Sequence, residues 1–169
     1  MNNFTPAWHV VYTRPNHEKK IANELSELEI EAFLPTVKTI RKWHDRKKYL
    51  EMPLFPSYVF IHLKNEQCYY SSLTTDILYY VKSGKKIATI PDTVIKNIQL
   101  VVNSGKEIEV SAEYLKPGKN LLIKDGPFTG CFCEVIEYKG KQKILVRIDL
   151  LQRGILLNLN VESLAPVKN

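Results

Sequence analysis

The sequence lacks the segments that would direct it to a membrane or a secretory route. None of its apolar runs approaches the ~20 residues that cross a bilayer as a helix. Its opening residues, MNNFTP, contain neither a basic n-region nor an apolar h-region, so no signal peptide is expected. Its three cysteines are an odd number, which argues against a disulfide framework and suits a reducing compartment. We therefore expect a cytoplasmic protein that makes no contact with a membrane.

The sequence also lacks the motifs of common catalytic and metal sites. It contains no glycine-rich phosphate loop, no nucleophile elbow and no paired zinc-ligand motif. Cys131 and Cys133 lie two residues apart on an expected strand, but no histidine pair lies near them, so we expect barrel residues rather than metal ligands. We expect no enzymatic activity, no metal and no cofactor. An enzyme stays open as a class, because missing motifs are the only evidence against it.

What the sequence does contain is a surplus of positive charge. The net charge is +6, with a sequence pI near 9.1, which permits a polyanionic partner. Between residues 38 and 48, six Lys or Arg residues accompany a single acid, Asp45, and Trp43 lies among them. A solvated hairpin tip is the commonest fate of such a run. An aromatic ring inside it, however, can stack on an exposed base, which favours a nucleic-acid contact.

The first hundred residues show the periodicities of both strands and helices. Strands are predicted at 8–12, 31–40, 57–63, 77–81 and 87–90, with Pro35 interrupting the second and a loop at 41–48. Helices are predicted at 17–28 and 92–105, and a short one at 68–75. Alternation in the strand 57–63 places Tyr58 and Phe60 on one face and Val59 and Ile61 on the other. We expect an α+β sandwich, an antiparallel sheet with helices on one face.

The remaining residues predict a second, smaller domain. Residues 106–117 are charged and read as a linker. Short β-like runs then follow at 121–123, 131–138, 144–151 and 155–161, with turns at Asp125-Gly126, Lys139-Gly140 and Arg153-Gly154. This pattern is typical of a small all-β barrel. β-Branched residues in the last runs favour strands over helix, so we expect a stable barrel.

Three segments, 8–12, 53–61 and 124–130, together resemble the NusG family of transcription elongation factors. The first two resemble strands of the NusG N-terminal α/β sandwich, and the third resembles the turn of a KOW barrel. The resemblance implies a NusG-like N-terminal domain at 6–105, a linker at 106–117 and a KOW domain at 118–169. The motif at 53–56, PLFP, and the basic segment 41–48 are most similar to specialised paralogues, the RfaH and UpxY-type antiterminators of capsule operons.

The resemblance also implies two sets of binding residues. The first set would contact RNA polymerase, mainly the clamp helices of its largest subunit, and consists of Tyr12, Tyr58, Phe60, Phe55, Ser71 and Ser72. The second set would contact nucleic acid near the transcription bubble and consists of Arg14, Lys20, Arg41, Lys42, Trp43, Arg46, Lys47 and Lys48. The competing interpretations are core aromatics and a buried helical turn for the first set, and a solvated hairpin for the second.

The function that the resemblance implies is operon-specific transcription elongation and antitermination. We expect a monomer that binds polymerase and either the non-template DNA strand or nascent RNA, and thereby suppresses pausing or termination. The KOW domain would recruit a small-subunit ribosomal protein or Rho. Two alternatives stay open: a general NusG-type elongation factor, and a KOW-type RNA-binding protein associated with the ribosome.

Overall fold

The computed structural model describes residues 5–43, 46–123 and 129–158, with the backbone alone for 40–43 and 46–48. Contacts divide the chain into two compact units, Met1–Pro91 and Asp92–Asn169. The first unit contains helices α1 (Glu18–Glu27) and α2 (Glu66–Ser72). Its strands are β1 (Ala7–Tyr12), β2 (Glu31–Phe33), β3 (Thr36–Trp43), β4 (Arg46–Pro53), β5 (Tyr58–Leu63), β6 (Tyr79–Tyr80), β7 (Lys82–Ser83) and β8 (Lys86–Ile87).

A four-stranded antiparallel sheet in the order β2-β5-β1-β6 forms the centre of the first unit. Strands β1 and β5 pair along their whole length, from Ala7 opposite Leu63 to Tyr12 opposite Tyr58. The core on one face of this pair includes the buried Val11 and Val59, which cluster with Ile21 and Leu25 of α1. Residues four apart lie on one side of a helix, so this spacing aims both α1 side chains at the sheet. The predicted antiparallel sheet with helices is confirmed.

The prediction of a loop at 41–48 was wrong, because residues 41–43 belong to β3 and residues 46–48 belong to β4. Strands β3 and β4 pair as a hairpin from Thr36 opposite Pro53 to Trp43 opposite Arg46. The ladder is extended by pairs of β-branched, aromatic and aliphatic residues, such as Ile40 opposite Tyr49. Charged residues do not interrupt such a ladder, because it is formed by hydrogen bonds between backbone groups. His44 and Asp45 lie outside the described residues.

The short helix predicted near residue 68 is confirmed as α2, which begins at Glu66 because the Asn65 side chain caps it. The Asn65 Oδ1 accepts the backbone N–H of Cys68 at 2.9 Å. The strand predicted at 77–81 is reduced to β6, and β7 and β8 then form a tight hairpin. Gly84 turns that hairpin with a φ of +62°, a conformation that L side chains rarely adopt. No helix among the described residues is long and apolar enough to cross a bilayer.

The second unit consists of α3 (Asp92–Asn103) and a five-stranded antiparallel sheet. Its strands are β9 (Ile108–Ser111), β10 (Lys119–Leu122), β11 (Phe132–Tyr138), β12 (Lys141–Ile148) and β13 (Arg153–Asn158), in the order β10-β11-β12-β13-β9. A core cluster joins Ile136, Leu145 and Leu156. The predicted turn at Lys139-Gly140 is present, with both residues at positive φ, as a two-residue hairpin requires.

Helix α3 packs on the β strands of its own unit. Ile95, Ile98 and Val101 of this helix are buried, and so is the polar residue Asn97. The Asn97 amide donates to the carbonyl of Phe132 at 2.5 Å, and its Oδ1 accepts the Phe132 N–H at 3.2 Å. One side chain thus satisfies both backbone groups of a strand residue. Contacts group α3 with these strands, and the first-domain boundary predicted at residue 105 stays a prediction.

Two further features of the second unit differ from the sequence-based predictions. Residues 106–117, expected to be a linker, contain β9, because Ile108 and Val110 pair with Leu157 and Ile155 of β13. Arg153 and Gly154, predicted as a turn, belong to β13. The turn comes before them, in a short 3₁₀ segment, Asp149–Leu151, that ends at Gln152 with positive φ. The predicted Asp125-Gly126 turn and most of the KOW-like segment 124–130 fall outside the described residues.

A partly buried ion pair joins strands β11 and β12. The Arg147 guanidinium donates to both Glu134 carboxylate oxygens, at 2.8 and 3.0 Å, and also to the carbonyl of Leu115 at 3.0 Å. Glu134 also accepts the N–H of Gly118 at 3.0 Å. The hydrogen bond from Arg147 lowers the pKa of Glu134 below its ordinary value of 4.5. The pair therefore fixes the segment before β10 against the centre of the sheet.

We expect the second unit to lose stability in acid through Glu134. Because the folded-state pKa is depressed, this stabilisation is complete above pH 4.5 and is lost as the pH falls through the folded pKa. Glu134→Gln should lower the free energy of unfolding by about 1–2 kcal/mol at neutral pH and weaken the acid dependence. Amide hydrogen exchange of β11 and β12 measures both effects. The exposed Glu137→Gln is the control; an equal effect there would contradict the role of the pair.

Candidate functional site

Tyrosine side chains from neighbouring strands form a row at one end of the sheet in the first unit. Tyr12 is directly opposite Tyr58 on β5 and directly opposite Tyr79 on β6. The Tyr12 and Tyr58 ring centroids are 5.2 Å apart at an angle of 70°, and the Tyr12 and Tyr79 rings stack at 5.0 Å and 13°. Both separations fall in the range of favourable aromatic pairs. We call Tyr12, Tyr58 and Tyr79 the tyrosine row.

The tyrosine row is open on its outer side. Tyr79 is 53% exposed and the neighbouring Leu78 is 48% exposed, while Tyr12 and Tyr58 are half-buried. Desolvation, followed by the neighbouring hydroxyls of Tyr12 and Tyr58, raises the pKa of Tyr79, so its phenol stays neutral near pH 7. The surface therefore combines large apolar rings with hydroxyl donors, a composition typical of binding hot spots. Tyr79 was not among the predicted binding residues, although it lies in a predicted strand.

Phe60 and Phe55 do not share this open surface. The sequence pattern placed Phe60 beside Tyr58 on a face that lacked a partner, but Phe60 is 0% exposed and Phe55 is 3% exposed. The Phe55 ring meets Phe60 edge-on with centroids 6.0 Å apart, and Phe33 lies 5.9 Å away on the neighbouring strand. The turn that follows β4 folds Phe55 over Phe60, which alternation within one strand cannot reveal. The expectation that the Phe60 ring is exposed was therefore wrong, because this ring is buried.

A buried carboxylate fixes the turn that leads into Tyr58. Ser57 has a φ of +68°, and its N–H donates to the Glu18 carboxylate at 2.7 Å. The Ser57 carbonyl accepts the N–H of Thr13 at 2.8 Å, which ties the turn to the end of β1. Glu18 is itself buried, in the first turn of α1. Helix α1 therefore holds the backbone from which Tyr58 projects.

The serines predicted near α2 occupy different environments. Ser72 is fully buried; its hydroxyl donates to the Tyr69 carbonyl at 2.6 Å and also forms a hydrogen bond with the Tyr80 hydroxyl. Ser71 is half-buried and its hydroxyl accepts a hydrogen bond from Gln67. Burial raises the pKa of Tyr80 to about 12, so the phenol stays protonated. The Ser72 hydroxyl thus joins α2 to β6 inside the core, and Tyr70 is the exposed aromatic residue of this helix.

The hairpin of β3 and β4 brings cationic residues directly opposite one another. Arg41 pairs with Lys48, and Lys42 pairs with Lys47. Like charges that are opposed across a ladder are unfavourable unless an anion lies nearby. Nearer the base of the hairpin the register changes to an opposite-charge pair, Lys38 with Glu51. The excess of positive charge is therefore confined to the outer half of the hairpin.

The other predicted basic residues lie on and before α1. Arg14 is exposed. The Lys20 ammonium donates to Asp76 at 2.7 Å and lies 3.4 Å from Glu24, and these hydrogen bonds, the one to Asp76 first, raise its pKa. Lys20 is therefore not the unpaired cation that the sequence suggested. Its neighbour Lys19 lies 4.0 Å from Glu51 on β4 and is thus the α1 cation nearest to the hairpin in these contacts.

Metal ligation has no support in the described part of the chain. No group of His, Cys, Asp and Glu residues there is arranged to hold a metal ion. Cys131 and Cys133 are free thiols, and both are buried in the second unit. They pack there as small apolar side chains.

The family model for the transcription termination factor NusG matches residues 6–99, more than half of the 169 residues. The chain belongs to the NusG family. A curated relative, the transcription termination/antitermination protein NusG of Borreliella burgdorferi, is 23% identical over an alignment of 167 residues that covers 84% of this chain and 89% of that protein. NusG-family proteins are transcription elongation and termination factors rather than enzymes, and they act with RNA polymerase and nucleic acid.

One solved structure supports the fold. A structure described as "Domain interaction in Thermotoga maritima NusG" matches with a TM-score of 0.50 at 20% identity, over 97% of this chain and 98% of that one. A crystal structure of the MjSpt4:Spt5 complex matches with a TM-score of 0.31 at 18% identity, over 95% of this chain and 97% of that one. The first match agrees with a NusG N-terminal domain followed by a small KOW-like β domain.

We expect Glu18 to determine the position of Tyr58 in the tyrosine row. Glu18→Ala leaves the Ser57 N–H without its buried acceptor, which should cost about 1–3 kcal/mol of stability. It should also shift the NMR ring signals of Tyr12 and Tyr58. Glu18→Gln keeps an acceptor oxygen and should restore both properties in large part. Unchanged ring signals in a folded Glu18→Ala protein would show that Glu18 does not position Tyr58.

Proposed function

We propose that this NusG-family chain is an operon-specific elongation and antitermination factor, which binds RNA polymerase through the tyrosine row. The exposed row is the observation that supports this assignment most directly, since Tyr79 and Leu78 are about half exposed beside Tyr12. Large aromatic rings at a surface are the residues that most often dominate protein–protein binding. The partner would be the clamp helices of the largest polymerase subunit.

The shape of the surface suits a helical partner. The row crosses the sheet at right angles to the strands, over a distance of three strands or roughly 10 Å. An α-helix with its side chains is about that wide, and packing of a helix against an apolar surface is a common recognition mode. Phe60 lies on the same face of the sheet as the row, and neither Phe60 nor Phe55 would touch the partner, because both are buried.

Nucleic acid would bind at the outer half of the β3–β4 hairpin. The opposed cations at Arg41/Lys48 and Lys42/Lys47 leave a charge excess that phosphates would neutralise. Trp43, which lies opposite Arg46 at the last described pair of the ladder, would stack on an unpaired base. The non-template strand of the transcription bubble or a nascent RNA could supply both phosphates and unpaired bases. Arg14 would extend this basic surface.

Two sequence features favour a specialised factor over a general one. The motif at 53–56, PLFP, and the basic hairpin are the segments most similar to RfaH and UpxY-type antiterminators. In the fold, Leu54 and Phe55 of this motif are buried, and the Phe55 ring packs against Phe60. The hairpin would then select the operon, while the row would hold the protein on polymerase.

The mechanism needs no covalent chemistry. A protein that binds the closed clamp more tightly than the open clamp shifts polymerase away from the open, paused state by its difference in affinity. Every extra contact to nucleic acid in the closed state adds to that difference. Suppression of pausing and of termination follows from the same shift.

The second unit offers a separate partner surface. Leu122 and Phe132 lie directly opposite each other on β10 and β11, and Phe132 is 52% exposed. We propose this pair as the contact for a small-subunit ribosomal protein or for Rho. The hydrogen bonds from Asn97 to the Phe132 backbone would keep the ring in a fixed position.

Tyr58→Ala should abolish polymerase binding in a pull-down while the protein stays folded. Loss of one central aromatic contact commonly weakens binding by 2 kcal/mol or more, which is about thirty-fold in affinity. Tyr79→Ala should weaken binding less, because its ring lies at the edge of the row. Tyr114→Ala removes a tyrosine that is 84% exposed in the other unit and should change nothing. Equal binding by all of these variants would refute the assignment of the row.

Nascent-transcript sequencing with and without the protein should separate a specialised from a general factor. A specialised antiterminator should change readthrough in one or a few long operons, because selection depends on a recruitment signal. Changes across most transcription units would instead indicate a general NusG-type factor. Co-sedimentation with ribosomal subunits in polymerase-free extract, without any effect on transcripts, would indicate the ribosomal alternative.

A further inference from the structure

Lys20 of α1 pairs with two carboxylates, and that of Asp76 is the nearer one. Asp76 belongs to the segment between α2 and β6, and its Oδ2 accepts the hydrogen bond from the Lys20 ammonium at 2.7 Å. Both side chains are more than half exposed, so solvent and other anions reach the pair. Glu24, one turn further along α1, also contacts Lys20.

Asp76 acts on more of the basic surface than Lys20 alone. The hydrogen bond and charge of Lys20 lower the pKa of Asp76, and the nearby Arg14 and His17 lower it further. These three basic residues recur at intervals of three along the chain, at the end of β1 and on the first turns of α1. Asp76 therefore offsets the positive potential of the surface that would face nucleic acid.

The Lys20–Asp76 pair is one that a phosphate could replace. Exposed ion pairs contribute little to stability, because water screens them and the long side chains lose entropy. A phosphate that approaches Lys20 must nevertheless displace the Asp76 carboxylate, or bind beside it and be repelled by its negative charge. Affinity for an arbitrary nucleic acid is thereby lowered at this surface. The outer half of the β3–β4 hairpin has no such opposing acid in its described register pairs.

We propose that Asp76 is a specificity-determining residue that suppresses general phosphate binding by Lys20. Nucleic acid would then bind firmly only where the hairpin also engages it. The inference rests on the proposed nucleic-acid binding of this chain, and it adds a restraint that the basic residues alone do not indicate. It assigns no direct contact with nucleic acid to Asp76.

The test is a binding titration with the full-length protein and a short fluorescent DNA duplex of mixed sequence. Anisotropy is recorded from low to high KCl for the wild type, Asp76→Asn, Lys20→Gln and the double variant. The substitution at Asp76 keeps the side-chain size and removes one negative charge. Asp92→Asn is the matched control, since it removes the same charge from an exposed site on α3. The same strand without its complement is a second probe.

Asp76→Asn should bind the duplex about two- to five-fold more tightly at low salt, the range expected when an exposed ion pair is released. The slope of log affinity against log salt should steepen by up to about 0.9 on the duplex and about 0.7 on the single strand, the value for one added phosphate contact. Lys20→Gln alone should change little. In the double variant most of the gain should disappear, because Lys20 is the released cation.

Three results would overturn the inference alone. In the first, Asp76→Asn binds the duplex no more tightly than the wild type. In the second, Asp92→Asn reproduces the gain in affinity, which would then reflect net charge only. A gain that persists undiminished in the double variant would show that Lys20 is not the released cation, and would also count against it. If neither the wild type nor Asp76→Asn binds either probe at low salt, the proposed nucleic-acid binding fails and this inference fails with it.

Discussion

The antiparallel pairing of β1 with β5 is the interaction on which the first unit depends. Its register places Val11 opposite Val59 on the face that α1 covers, and Val10 opposite Phe60 on the other face. Both faces are therefore buried along most of the pair. A shift of one residue would exchange the two faces and destroy both sets of contacts. The same register places Tyr12 opposite Tyr58 where the strands end, so the packing of the core also determines the functional surface.

Helix α1 connects that core to both proposed binding surfaces. Ile21 and Leu25 pack on the sheet, Glu18 holds the turn that precedes Tyr58, and Lys20 meets Asp76 on the outer side. Residues on different sides of one short helix thus stabilise the fold, position an aromatic contact and set the local charge. The amphipathic pattern of the helix indicates only the first of these roles.

Much of the fold was predictable from local signals. The α1 and α3 stripes, the strand at β5, the short helix after it and the turn at Lys139-Gly140 all depend on periodicity or turn chemistry within a few residues. The predictions failed at two charged segments that lack a strong local pattern. Strands occur within 41–48 because β3 and β4 pair with each other in a hairpin, and the strand in 106–117 forms because β13, far along the chain, supplies its partner. Long-range pairing overrides weak local preference.

The sequence by itself determined the class of the protein, its α+β then all-β order and the residue types available for binding. The segments that carry the resemblance to NusG are short and contiguous, so they are readable without a structure. Only the tertiary structure decided which of those residues face outward: Phe60 is covered by Phe55, Tyr79 joins Tyr12, and Lys20 is held by Asp76. Each of these outcomes depends on a contact with a residue from another element, and exposure is set by such contacts rather than by the pattern within one strand or helix.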